Sequence, residues 1–217
     1  METVNRGARI SRSYGQLCPL AFALDLVGER WTLLIVRELL PGPRRYTQLK
    51  NSLTGIATNL LAERLRTLET NGIVRRTVDG GKVIYALTPA GMGLREAMEA
   101  LGRWSAPLLM PGPAADDSFE PRWLTLAIPA LLRGRVATPP AECGFEVGDA
   151  LMVLRVDQDG PTMITDPEER PSTVFVADED TVVGLAAGGL TIGQALELGQ
   201  LEGDIEVFRS VFGERHA

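Results

Sequence analysis

The sequence predicts an α+β chain built in two parts, a largely helical first half that closes on a β-hairpin and a second half that mixes helix with a small sheet. Three observations predict it. Apolar residues recur at helical spacing through residues 20–39 and 57–71, the segments IVRRTV and KVIYAL flank a Gly-Gly turn, and the stretch PLLMPGPAADDS at 107–118 interrupts the periodic patterns on either side of it. A length of 217 residues suits one large or two small domains. The expected organisation is a first domain over 1–106, a linker over 107–118 and a second domain over 119–217.

Taken in order, Leu20, Leu24 and Val27 mark one short helix, and after Gly28 the run ERWTLLIVRELL marks another through Trp31, Leu34, Ile35 and Leu39. The sequence PGP at 41–43 stops it. Thr47 is a suitable N-cap for a short helix containing Leu49 and Leu53. Thr54-Gly55-Ile56 reads as a turn, followed by a longer helix from about Ala57 to Asn71 with Leu60, Leu61, Leu65 and Leu68 on one face and Gly72 as its C-terminal cap. Around Asp79-Gly80-Gly81 the two β-branched segments make a hairpin. Thr88-Pro89 then opens a helix in which Leu94, Met98, Leu101 and Trp104 or Ser105 share a face.

In the second half, WLTLAIPALL reads as an apolar helix interrupted at Pro129, and ALMVLRV, PTMIT and STVFVA read as strands separated by turns at 157–160 and 166–171. Asp178-Glu179-Asp180 stands where a helix dipole favours acids, at the head of a helix through Val183 and Leu185 that Gly188-Gly189 ends.

Charge separates the halves. Residues 1–110 hold 15 Lys and Arg against 9 Asp and Glu, a balance of +6, whereas residues 111–217 hold 7 against 19, a balance of −12. A basic half suggests a polyanion partner, and an acidic half resists one. No stretch approaches 18 apolar residues, and Met1 to Ser13 lacks the apolar segment of a secretory signal, so the expectation is a cytoplasmic protein with no membrane partner. With His216 the only histidine, and Cys18 and Cys143 far apart, no zinc centre, cofactor or histidine-based catalysis is expected. No glycine loop cradles phosphate, and no nucleophile stands with a base, which argues against an enzyme.

A short helix, a tight turn, a longer helix with a free polar face and a hairpin form, in that order, a winged helix-turn-helix. The second helix is the expected reader of double-stranded DNA. Its leucines pack inward and leave Thr58, Asn59, Ala62, Glu63 and Arg66 near the opposite face. Asn59 is the specificity candidate because its amide pairs bidentately with adenine, while Arg66 suits a phosphate. Arg75, Arg76 and Lys82 of the hairpin, with Arg44 and Arg45, are expected to contact phosphates irrespective of sequence. Arg64 lies between the two faces, and its role is open.

The block CPLAFALDLVGERWTLLIVRELLPGPRRYTQLKNSLTGIATNLLAERLRTLETNGIVRRTV, followed by YALTPAG and Trp104, resembles the HxlR family of winged helix-turn-helix regulators. The resemblance implies a homodimer on palindromic operator DNA, with terminal helices of the domain in the dimer contact. The apolar stripe between Met92 and Ser105 fits such a contact, or packing within its own subunit. The hairpin departs from the family pattern, having Asp79-Gly80-Gly81-Lys82 where a proline-containing stretch is usual. In several members the cysteine of an N-terminal Cys-Pro element senses oxidants or electrophiles, and Cys18-Pro19 stands at the matching position. Arg6, Arg9 and Arg12 are the expected neighbours to activate the thiol. A buried, inert cysteine is the other reading.

Residues from about Phe145 to Gly213, including TVFVADEDTVVGLAAGGLTIGQALELGQLEGD, resemble sterol carrier protein type 2 domains. That resemblance implies an apolar tunnel and a hydrophobic small-molecule effector. A filled core serving dimerisation or domain packing explains the same residues. Two functions therefore stand at this point. One is a sequence-specific transcriptional regulator, expected to be a repressor, modulated by a hydrophobic molecule or by thiol oxidation. The other is a small-molecule or lipid carrier whose first domain is only a scaffold.

Overall fold

The computed structural model describes residues 13–109 and 118–213. Backbone contacts divide the chain into two compact units that meet between Met98 and Glu99. Most of the expected linker, residues 110–117, lies outside the described residues, as do Arg6, Arg9, Arg12 and His216.

In the first unit, α1 (Pro19–Val27) and α2 (Thr32–Leu39) are followed by a two-residue strand β1 (Arg44–Arg45), α3 (Tyr46–Ser52), α4 (Thr58–Thr70), the hairpin β2 (Val74–Asp79) and β3 (Lys82–Leu87), and the short α5 (Pro89–Met92). The hairpin was expected; β1 was not, because two residues carry no periodicity. It pairs antiparallel with β3, giving the order β1-β3-β2. Both turn residues of the hairpin, Gly80 and Gly81, have positive φ, as a two-residue turn between twisted strands requires.

The core of this unit comprises Ile35, Val36, Leu39, Leu49, Leu53, Ile56, Leu61, Leu65 and Leu68, all essentially inaccessible. Leu61, Leu65 and Leu68 recur at i, i+4 and i+7, which explains why α4 buries one face. Leu60 lies at the margin, half-buried. The helix stops as expected: Gly72 adopts φ 70°, and the Ile73 amide donates back to the Leu68 carbonyl at 2.9 Å.

Two local expectations are corrected. Thr47 does not cap α3; the cap is Arg45, two residues earlier, with the helix starting at Tyr46, and the Gln48 side chain accepts the Arg45 amide at 2.8 Å. Thr88 caps as expected, accepting the Gly91 amide at 3.2 Å, but the helix it opens is broken at Gly93 into α5 and α6 (Leu94–Ser105). On α6 only Met98 is buried, while Leu101 and Trp104 are exposed. Leu20 and Leu24 of α1 are exposed as well.

The second unit holds α7 (Leu124–Leu131), then β4 (Ala141–Val147), β5 (Ala150–Asp157), β6 (Gly160–Thr165), β7 (Val174–Val176), α8 (Glu179–Ala187), α9 (Ile192–Leu198), β8 (Gln200–Glu202) and α10 (Ile205–Phe212). Its sheet runs β6-β5-β4-β7-β8 and is mixed, β4 and β7 being parallel. α7 continues through Pro129 instead of breaking there. The lost hydrogen bond falls two residues before the helix ends, so only one turn depends on it. The inward residues of the central strands, Cys143, Phe145, Met152, Leu154 and Phe175, pack under α7, α8 and α10. Phe208 lies 4.9 Å from Phe175 between ring centres, and Phe212 5.7 Å from Phe145, so the middle of this unit is filled.

Candidate nucleic-acid interface

The expected recognition helix is α4. With Leu61, Leu65 and Leu68 turned inward, the 100° step per residue carries Asn59, Glu63, Arg66 and Thr70 to the opposite side, and all four are exposed. Thr58 is exposed at the first helical position. The N-terminal cap is Ala57, which offers no side-chain acceptor, and no acid occupies the first turn. The leading end of the helix thus keeps unpaired amides and a favourable pole for anions.

The other expected contacts divide. Arg45 is exposed beside α3, but Arg44 is turned inward: its Nη1 donates to Glu38 at 2.7 Å and to Ser52 at 2.7 Å, and the Glu38 carboxylate is fully buried. This pairing gives Arg44 a structural role, since a buried carboxylate requires its counter-charge. Arg64 is also structural. Its guanidinium bonds Glu29, donates from Nε to the Arg30 carbonyl at 3.3 Å and reaches Glu63 at 3.0 Å, clamping α4 to the turn between α1 and α2. Glu63 shares that ion pair, which reduces its freedom to meet a base. Ala62 is half-buried, a flanking rather than a central position.

Along the wing, register separates the cations. Arg75 pairs with Ala86 and Lys82 with Asp79, which places Arg75 and Lys82 on one face, while Arg76, opposite Tyr85, leaves by the other. All three are exposed.

Sequence reasoning missed the residues that hold the turn before α4. The Tyr46 hydroxyl donates to the Thr58 carbonyl at 2.8 Å, and Lys50 Nζ to the Ile56 carbonyl at 2.8 Å. The signal available was their spacing: Tyr46 and Lys50 are one turn apart on α3. Cys18 is half-exposed at the cap position of α1.

The first unit has relatives among known proteins. Residues 26–112 match the model of the HxlR-like helix-turn-helix family. The chain is 39% identical over 90 residues to the HTH-type transcriptional regulator sll1512 of Synechocystis, covering 40% of this chain and 67% of that one. It is 37% identical over 100 residues to YodB of Bacillus subtilis, covering 44% of this chain and 89% of YodB. The chain belongs to the HxlR-like helix-turn-helix family. It is a DNA-binding transcriptional regulator rather than an enzyme. Among solved structures, the reduced form of YodB covers 45% of this chain and all of its own at 36% identity, with a TM-score of 0.40. No helix among the described residues is long and apolar enough to cross a membrane.

Proposed function

We propose that this regulator acts in the cytoplasm as a repressor, binding palindromic operators as a homodimer with Asn59 reading bases in the major groove. The supporting observation is the division of α4 into a fully buried leucine face and an exposed face that begins with Thr58 and Asn59 at an uncapped end. Arg66 and Thr58 follow the groove edge, and Arg45, Arg75, Arg76 and Lys82 supply phosphate contacts. The exposed apolar residues Leu101 and Trp104 of α6 and Leu17, Leu20 and Leu24 at α1 support the dimer, because such surfaces are costly in water.

Footprinting on the DNA upstream of the protein's own reading frame tests the assignment. Asn59→Ala is expected to lose about 1–3 kcal/mol of base discrimination while keeping non-specific affinity. A variant that protects the same operator as tightly as wild type would remove Asn59 from base reading, and a wild type that ignores duplex DNA in dilute buffer would remove the whole reading.

Two controls on DNA binding belong to the same proposal. The half-exposed Cys18 at the head of α1 supports oxidant sensing; diamide is expected to weaken operator binding in wild type and not in Cys18→Ser. The second unit, proposed as sterol-carrier-like, has an open cleft of about 580 Å³ lined by Leu185, Leu190, Ile192 and Phe212 together with the polar Arg135 and Thr191, a size that admits a small effector with an apolar part. An apolar fluorescent dye is expected to bind with a gain in emission, and a flat titration counts against the effector.

A further inference from the structure

We infer that Tyr46 is a positioning residue for base recognition, its phenol fixing the start of α4 so that Thr58 and Asn59 meet the DNA in register; this rests on the DNA reading above. Tyr46 is the first residue of α3 and half-buried, and its hydroxyl donates to the carbonyl of Thr58, the first residue of α4, at 2.8 Å. A carbonyl oxygen has two lone pairs, so this bond adds to the helix instead of competing with it.

Leu53 and Ile56 anchor the connection between the two helices in the core, but few polar contacts fix its backbone. It contains Gly55 at φ 87°, has one internal backbone bond, from the Ile56 amide to Leu53 at 3.2 Å, and leads into a helix whose cap residue has no side-chain acceptor. What α3 contributes is a two-point clasp. Lys50, one turn after Tyr46, donates to the Ile56 carbonyl at 2.8 Å, so phenol and ammonium hold the turn at Ile56 and Thr58. Asn59 follows directly. Bidentate base pairing tolerates little displacement, whereas contacts to phosphates act through charge and tolerate more. Loosening the clasp is therefore expected to reduce discrimination before it reduces adhesion.

The test is Tyr46→Phe, which keeps the ring and removes only the donor. Expected is a loss of operator affinity of about three- to tenfold, the scale of one hydrogen bond, with non-specific affinity and salt dependence unchanged. Amide exchange over residues 53–61, measured by mass spectrometry without DNA, is expected to quicken by a similar factor. Unchanged operator preference together with unchanged exchange overturns the inference. So does an equal fall in specific and non-specific binding accompanied by a lower melting temperature, which marks a purely structural bond. If wild type binds no duplex, the proposed function fails on that result alone. Exchange then decides the clasp, quickened exchange supporting it and unchanged exchange overturning it.

Discussion

Single side chains show how one residue type serves opposite ends. Arg44 and Arg45 are neighbours in sequence, yet one joins Arg37 in neutralising the buried Glu38 and the other faces solvent. Removing one partner of a buried pair leaves an uncompensated charge, and Glu38→Gln is expected to destabilise the first unit by about 3 kcal/mol in denaturant titration. A loss below about 1 kcal/mol would show that water reaches the pair. Asp178 offers a pH test. As the cap of α8, it accepts hydrogen bonds from the side chain and the amide of Thr181, and these hold its carboxyl below the usual aspartate range. Because the folded value is the lower one, its stabilisation is complete above the ordinary aspartate pKa of about 3.9 and is lost as pH falls through the folded value. Asp178→Asn, which keeps the capping oxygen but not the charge, is expected to abolish that acid-side dependence and to lower stability at neutral pH slightly.

At the level of elements, the close approaches lie where chain segments cross. Thr88 closes the first unit by donating from its hydroxyl to the Gly72 carbonyl at 2.6 Å, and the helix it caps runs against Ile73. A Cβ at Gly91 would stand 2.2 Å from the Ile73 carbonyl oxygen, a backbone atom that cannot move aside cheaply. Gly91→Ala is expected to cost about 1–3 kcal/mol in thermal unfolding and to loosen α5 from the end of α4. Of the elements, α4 and the hairpin were legible because each has a strong period, a glycine stop and enough length. β4 was not seen: its inward residues Ala141, Cys143, Phe145 and Val147 alternate cleanly, but Gly144 sits in its middle, and β-branched residues are scarce. β1 and β8 are too short to carry a pattern, and exist through their pairing with β3 and β7.

For the whole molecule, two separate cores provide separate reporters. Cys143 is buried among the central strands of the second unit, and burial pushes its thiol up to about 12, only partly offset by a backbone hydrogen bond at Phe175. Near pH 8 it is protonated and shielded, so a thiol reagent is expected to modify Cys18 alone in the native chain. Cys143 should become reactive only over the denaturant range in which the second unit unfolds. Rapid labelling of two thiols per native chain would contradict that core.

By itself the sequence determined that α4 is a helix with one leucine face, that a glycine stops it, that a hairpin follows, and that the two halves carry opposite charge. These depend on residues close together in the chain, where period and turn chemistry act directly. Which cations are free was decided only by the tertiary structure. Arg64 is held by Glu29, 35 residues away, and Arg44, on β1, by the buried Glu38 of α2, so the same guanidinium reads as a DNA contact or a clamp depending on what folding brings beside it. Burying a charge is tolerable only beside its opposite, and no local pattern reveals which distant partner will be there.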